Sequence, residues 1–129
     1  MSKEPEHHLL LVDQDLDYLD WATKHLSAEG LKILRCDSAD KASQVVKKAP
    51  IDVVICDIKL DPFDGVELLQ LIRASSPETI TILTAVSPTT SQIIEATQKG
   101  ALDVLRKESL AFELRQVVES ALQTVDQRR

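Results

Sequence analysis

Four side chains able to do chemistry stand where short apolar runs stop. Asp13 follows "LLLV", Asp57 follows "VVIC", Thr84 lies near the end of "TITILTA", and Lys107 closes "ALDVLRK". Leaving an isolated carboxylate in an apolar interior costs several kcal/mol unless something pairs with it, so the chain surfaces at Asp57. Two carboxylates a few ångströms apart repel, and each raises the other's pKa unless a cation intervenes. A hard divalent ion such as Mg²⁺ accepts one or two carboxylates, carbonyls and waters, and binds best where a phosphate supplies the rest. An ammonium and a hydroxyl hold phosphoryl oxygens, because phosphoryl transfer is largely positioning and charge neutralisation. Asp57 is then a nucleophile able to form an acyl phosphate. This chemistry requires the four residues to converge.

The elements that must position them alternate between short apolar runs and longer stretches of helical period, the pattern of strand-helix-strand units with a parallel sheet. A first strand covers residues 7–12, with a helix from about Leu16 to Ala28. Leu16, Leu19, Ala22 and Leu26 share one face of that helix; Tyr18, Trp21 and His25 fall on the other side, and Gly30 is a stop signal. Residues 31–36 read as a less deeply covered strand, followed by a helix capped by Asp37 or Ser38, with Ala42, Val45, Val46 and Ala49 inward and Pro50 at its end. The third strand runs from Ile51 to Asp57; Pro62 and Gly65 mark a turn, and Val66, Leu69 and Ile72 give the next helix its period. Residues 79–85 form a β-branched fourth strand, "SPTTSQIIEATQKG" a capped helix closed by Gly100, and 101–107 a fifth strand. The last helix spans about Leu110 to Thr124, burying Leu114, Val117, Val118 and Ala121. The expected fold is α/β: an open, doubly wound sheet of five parallel strands with helices between them, in which Asp13 and Asp57 share a rim if strands one and three are neighbours. In such sheets, sites form at the carboxyl ends of strands beside the topological switch point.

The 129 residues make one domain, with 43% hydrophobic and 28% charged residues in a globular balance and only 3% aromatics. A formal charge of -6 without a clustered basic face excludes a nucleic-acid surface on this domain. No run approaches the roughly 20 apolar residues of a membrane span, and "MSKEPEHH" is not an export signal, so the expected location is the cytoplasm. Cys36 and Cys56 read as buried thiols rather than a disulfide framework or zinc site. His7, His8 and His25 lack the spacing of metal ligands.

Taken together, "LLLVDQD", "VVICDIKLDPFDGVELL", "ITILTA" and "KGALDVLRK" resemble the response-regulator receiver domain of bacterial two-component signalling, over nearly the whole chain. The resemblance implies a flavodoxin-like α/β sheet in the strand order 2-1-3-4-5 and a phosphoacceptor module modified on Asp57 by a sensor histidine kinase or phosphotransfer protein, with output in transcription regulation. It places Thr84 as the hydroxyl that senses the phosphoryl group and Lys107 as the lysine that contacts it. Asp13, Asp57 and the backbone carbonyl of Lys59 match the Mg²⁺ ligands, while Lys59 and Val86 flank the site and tune acyl-phosphate lifetime. Partner switching through the fourth helix, fifth strand and fifth helix, including a homodimer, follows from the same likeness. Such a module turns over no independent substrate and is not expected to be an enzyme. The ending "DQRR" is where multidomain regulators pass into a linker, so a longer regulator with this module at its N-terminus is expected beside a stand-alone one.

Four departures mark this chain. Gln14 stands where the family has a second acid, which weakens the metal site. Val104 replaces the usual aromatic switch residue, Glu108 replaces a proline, and the proline after the phosphorylation site arrives one position late, at Pro62. Asp15 either compensates for Gln14 through a water or caps the first helix, the reading its position favours. Trp21 is either a docking patch or partly packed. Two rival classes stay open: a phosphorylation-independent pseudo-receiver, and a small phosphatase or flavin-binding protein of the same topology. The negative stretch "DQDLDYLD" speaks against a phosphate-cradling loop.

Overall fold

A computed structural model describes residues 4–129; residues 1–3, part of the segment read as no export signal, lie outside the described residues. In chain order the elements are β1 (His7–Val12), α1 (Leu16–Leu26), β2 (Leu31–Cys36), α2 (Ala39–Lys48), β3 (Val53–Asp57), α3 (Gly65–Ser75), β4 (Ile80–Ala85), α4 (Thr90–Gln98), β5 (Asp103–Arg106) and α5 (Ala111–Gln127). The strands form one sheet in the order β2-β1-β3-β4-β5, with every neighbouring pair parallel. No described helix is long and apolar enough to cross a membrane.

The pleat sorts the β-strand side chains into two cores. Leu10, Val12, Val54, Cys56 and Leu83 face α2 and α3, meeting Ala42, Val46, Leu68, Leu69 and Ile72. Leu9, Leu11, Val53, Ile55 and Ile82 face the opposite way, toward Leu19, Ala22 and Leu26 of α1 and Leu114, Val118 and Ala121 of α5. Burying each of these Leu, Ile or Val side chains is worth about 1.5–3 kcal/mol. β3 is buried throughout, whereas the edge strands β2 and β5 alternate with exposed positions. The continuous apolar run of β3 is thus that of a central parallel strand covered on both faces.

Local chemistry sets the ends. Asp15 caps α1 by accepting from the Asp17 and Tyr18 amides, Ser38 caps α2, Asp64 caps α3, and Thr89 with Gln92 closes a capping box at the start of α4. Several boundaries differ from the sequence expectation. α1 stops at Leu26 rather than Ala28, β3 starts at Val53 rather than Ile51, and α5 continues to Gln127 rather than Thr124. Leu16 is 61% exposed instead of facing the core; it is the first residue of α1, and the buried stripe starts one turn later, at Leu19. Tyr18 and Trp21 are half-buried against the second core, since α1 is covered along a flank as well as beneath. In α3, Leu68 joins the buried stripe and Val66 is only half-buried.

Gly65 ties α3 to the end of β3. Its amide donates to the Ile58 carbonyl at 2.8 Å, and a Cβ there would collide with the Asp57 carbonyl oxygen and stand 3.0 Å from Ile58 Cα. Backbone cannot yield as a flexible side chain would, so Gly65→Ala is expected to destabilise the fold by about 1–3 kcal/mol. The check is urea denaturation, where the midpoint falls at unchanged slope.

Candidate functional site

The strand order reverses between β1 and β3, and this switch point is where the acids emerge. The β1–β3 register pairs Val12 with Cys56, so the next residues, Asp13 and Asp57, leave the sheet side by side. On the other flank of β3, Asp57 pairs with Thr84 of β4. Lys107 follows β5 and is drawn to the same rim by its amide, which donates to the Ala85 carbonyl at 2.9 Å.

Three of the four predicted side chains touch, and the register sets the fourth, Thr84, beside Asp57. Lys107 Nζ lies 2.7 Å from Asp13 Oδ2 and 3.1 Å from Asp57 Oδ2, and the three side chains are 13%, 3% and 13% exposed. The contact with Asp57 is a hydrogen bond; that with Asp13 is an ion pair off the hydrogen-bond direction, leaving Oδ2 without a hydrogen-bond partner among the described residues. The other oxygens are held by backbone: Asp13 Oδ1 accepts from the Asp15 amide at 2.9 Å and Asp57 Oδ1 from the Lys59 amide at 3.2 Å. The Thr84 hydroxyl is buried and also lacks a partner among the described residues. Unsatisfied buried polar atoms cost about 1–3 kcal/mol each, and they concentrate where a ligand completes the bonding.

The electrostatics follow from this crowding. Burial holds the Asp13 carboxyl above its ordinary range; the Lys107 contact and the Asp15 amide offset part of this, and the charge of Asp57 adds to it. Burial alone would depress the Lys107 ammonium, but Asp13 and Asp57 outweigh it and raise its pKa above 10.5. Lys107 is therefore the cation that lets the two carboxylates share the rim.

The remaining candidates sit around this centre. Lys59 is exposed two residues past Asp57, Val86 is 70% exposed after β4, and Val104 is half-buried against the first core. Gln14 is exposed, with Nε2 donating to Asp61 Oδ2 at 2.9 Å, which links the β1–α1 and β3–α3 loops. Asp15 is a cap, as its position favoured. Burial raises the Cys56 thiol, and it pushes that of half-buried Cys36 up to about 11, so both are inert. His7 is at the far end of β1, paired with Asp126 at 2.7 Å.

The sequence profile of the family described as response regulator receiver domain matches residues 9–119. The chain belongs to that family. This receiver domain is 30% identical over 123 residues to the transcriptional regulatory protein GlrR of Escherichia coli K12, covering 95% of this chain and 28% of GlrR. It spans little more than a quarter of that relative's length. Its fold superposes on the response regulator receiver domain protein (CheY-like) of Methanospirillum hungatei JF-1 with a TM-score of 0.88 at 20% identity, covering 95% and 98% of the two chains. The beryllofluoride-activated NtrC4 receiver domain dimer gives 0.86 at 20% identity, covering 92% and 98%.

Two positional features escaped the sequence reading. The sequence marks Gly65 only as a turn residue and puts Tyr18 on the helix side opposite the buried stripe, whereas a Cβ at Gly65 would meet the Asp57 backbone and the Tyr18 ring centroid lies 4.8 Å from Lys107 Nζ. The available signal for Tyr18 was its place three residues after the Asp15 cap, which puts it in the first turn and hence at the rim.

Removing the shared cation should expose the repulsion. Lys107→Met is expected to cost about 1–3 kcal/mol at neutral pH. With the ammonium gone, Asp13 loses the contact that offsets its burial, so its folded-state pKa stands further above its unfolded one, and the stability is full below the unfolded value and lost as pH rises through the raised one. Melting temperature measured from pH 4 to 8 should fall with pH in the variant relative to the unsubstituted protein.

Proposed function

We propose that this receiver domain accepts a phosphoryl group on Asp57 from the phosphohistidine of a sensor histidine kinase or phosphotransfer protein, and thereby switches its affinity for a partner. The supporting observation is the convergence of Asp13, Asp57 and Lys107 beside the unpartnered Thr84 hydroxyl. An Asp57 carboxylate oxygen attacks phosphorus, the phosphorus–nitrogen bond breaks, and the departing imidazole nitrogen keeps the electron pair and takes a proton. Lys107 neutralises charge on the phosphoryl oxygens and Thr84 donates its hydroxyl to one of them.

Receiver domains of this family bind Mg²⁺. The donor set here fits a hard cation, since two carboxylates converge and Asp13 Oδ2 has bonding capacity to spare. The ion would be held by Asp13, Asp57, the Lys59 backbone carbonyl and weakly by Gln14, and it would supply further charge neutralisation. Among the described residues no third His, Cys, Asp or Glu joins them, so the affinity is lower than a three-carboxylate site gives.

The switch is a population shift: the phosphoryl group bonds better to one arrangement of the surrounding loops than to another. Exposed Ile94 of α4, Leu102 before β5 and Phe112 of α5 supply apolar area for a homodimer through α4, β5 and α5, and the NtrC4 neighbour is itself a dimer. GlrR, a transcriptional regulatory protein of which this chain covers 28%, supports a role in transcription regulation as part of a longer regulator; the proposed setting is the cytoplasm, with the kinase as donor. The module turns over no independent substrate. Gln14 favours a second reading, a phosphorylation-independent interaction module.

Incubation with Mg²⁺ and acetyl phosphate separates them: about 80 Da appears on the unsubstituted protein and not on Asp57→Asn. No added mass on either refutes the phosphoacceptor reading. Gln14→Asp is expected to tighten Mg²⁺ binding by restoring a carboxylate, seen as a larger rise in melting temperature at equal Mg²⁺ concentration.

A further inference from the structure

The Lys107 ammonium has a contact beyond its carboxylates. Its Nζ stands 4.8 Å from the centroid of the Tyr18 ring, within the range where a ring face attracts a cation. Trp21 packs against Tyr18 with centroids 5.7 Å apart, and the His25 ring lies 5.0 Å from Trp21. Positions three and four residues apart share a helix flank, so α1 carries the three rings as one row. Tyr18 and Trp21 also pack against the second core, which braces the ring from behind.

We propose that Tyr18 is a positioning residue that keeps the Lys107 ammonium at the rim when its carboxylate partners are engaged elsewhere. The proposal rests on the phosphoacceptor reading. Before transfer, Asp13 and Asp57 anchor the ammonium at 2.7 Å and 3.1 Å. Phosphorylation turns the Asp57 carboxylate into the acyl part of an acyl phosphate and puts the negative charge on the phosphoryl oxygens, so this anchor moves and the ammonium must meet those oxygens. The ring face changes neither charge nor composition in that step. Burial, with the charges of Asp13 and Asp57, pushes the Tyr18 phenol up to about 12, so the ring stays neutral at physiological pH. A lysine stem has several rotatable bonds, and a fixed contact that survives transfer keeps the ammonium where it acts.

The competing explanation is a tyrosine that only fills space, and side-chain chemistry separates the two. Tyr18→Phe keeps the ring face, while Tyr18→Leu and Tyr18→Met keep apolar bulk without it. The variants are compared with the unsubstituted protein in Mg²⁺ and phosphoramidate, reading the rate of adduct formation by intact mass. In parallel, NMR reads the Lys107 side-chain protons, assigned with Lys107→Arg; a ring face shifts them upfield. We expect Tyr18→Phe to retain both the shift and the rate, and the Leu and Met variants to lose the shift and react about three- to tenfold more slowly, the scale of a partly desolvated cation–π contact. Equal rates in all variants, or a Phe variant as slow as the Leu and Met variants, overturn the positioning role. An unshifted Lys107 in the unsubstituted protein overturns the contact itself. No adduct on the unsubstituted protein overturns the phosphoacceptor reading and this proposal with it, while a retained shift would show that the ring contact stands apart from that failure. If one apolar variant fails to fold, the other gives the comparison.

Discussion

The ammonium of Lys107 between Asp13 and Asp57 is the interaction on which the site depends. Two carboxylates at adjoining strand ends would repel strongly in a medium less polar than water. With Lys107 Nζ 2.7 Å from one and 3.1 Å from the other, repulsion becomes a shared attraction that fixes three side chains at once. Burial still disfavours the charge on Asp13, whose pKa stays raised even beside the lysine. The arrangement persists because the surrounding apolar packing leaves it no alternative.

That packing is the sheet itself. Leu9, Leu10, Leu11, Val53 and Val54 are fully enclosed or nearly so, and they hold β1 and β3 in a register that aims the two acids together. Gly65 then lets α3 approach the Asp57 backbone more closely than any Cβ permits. The cost appears at the rim, where Asp13 Oδ2 and the Thr84 hydroxyl lack hydrogen-bond partners among the described residues. Stability comes from the two cores, and of the three buried side-chain atoms without a partner among the described residues, Asp13 Oδ2 and Thr84 Oγ1 lie at this end of the sheet while Thr81 Oγ1 lies within β4. A charged, oxygen-rich ligand is what such a hollow suits.

The departures from the family pattern have physical consequences at the same rim. Gln14 contributes no charge and spends its amide on Asp61, joining two loops that flank Asp57. Val104 packs half-buried against the first core, where an aliphatic side chain lacks the swinging ring used by many receivers. The prominent ring near the site is instead Tyr18, on the opposite face of the sheet from Val104 and braced by Trp21.

Much of this was legible before any coordinates. The alternation of apolar runs with helical periods predicted five β-α units, and Asp13, Asp57, Thr84 and Lys107 were recognisable because each interrupts or closes an apolar run. Asp15 was readable as a cap from position alone. What failed had a common cause. Leu16 shares the helical period yet is exposed at the first position of α1, Tyr18 lies off the period yet is packed along a flank, and Gly65 looks like an ordinary turn glycine until Asp57 is seen beside it. Periodicity along a chain records which side of an element is apolar, because backbone geometry repeats with every turn or pleat. It does not record what stands on the element's flank, because that neighbour comes from a distant part of the chain and is set by packing. The sequence alone therefore determined the elements, their order and the acids, hydroxyl and amine of the site; only the tertiary structure decided that one ammonium bridges both acids and that a tyrosine ring lies against it.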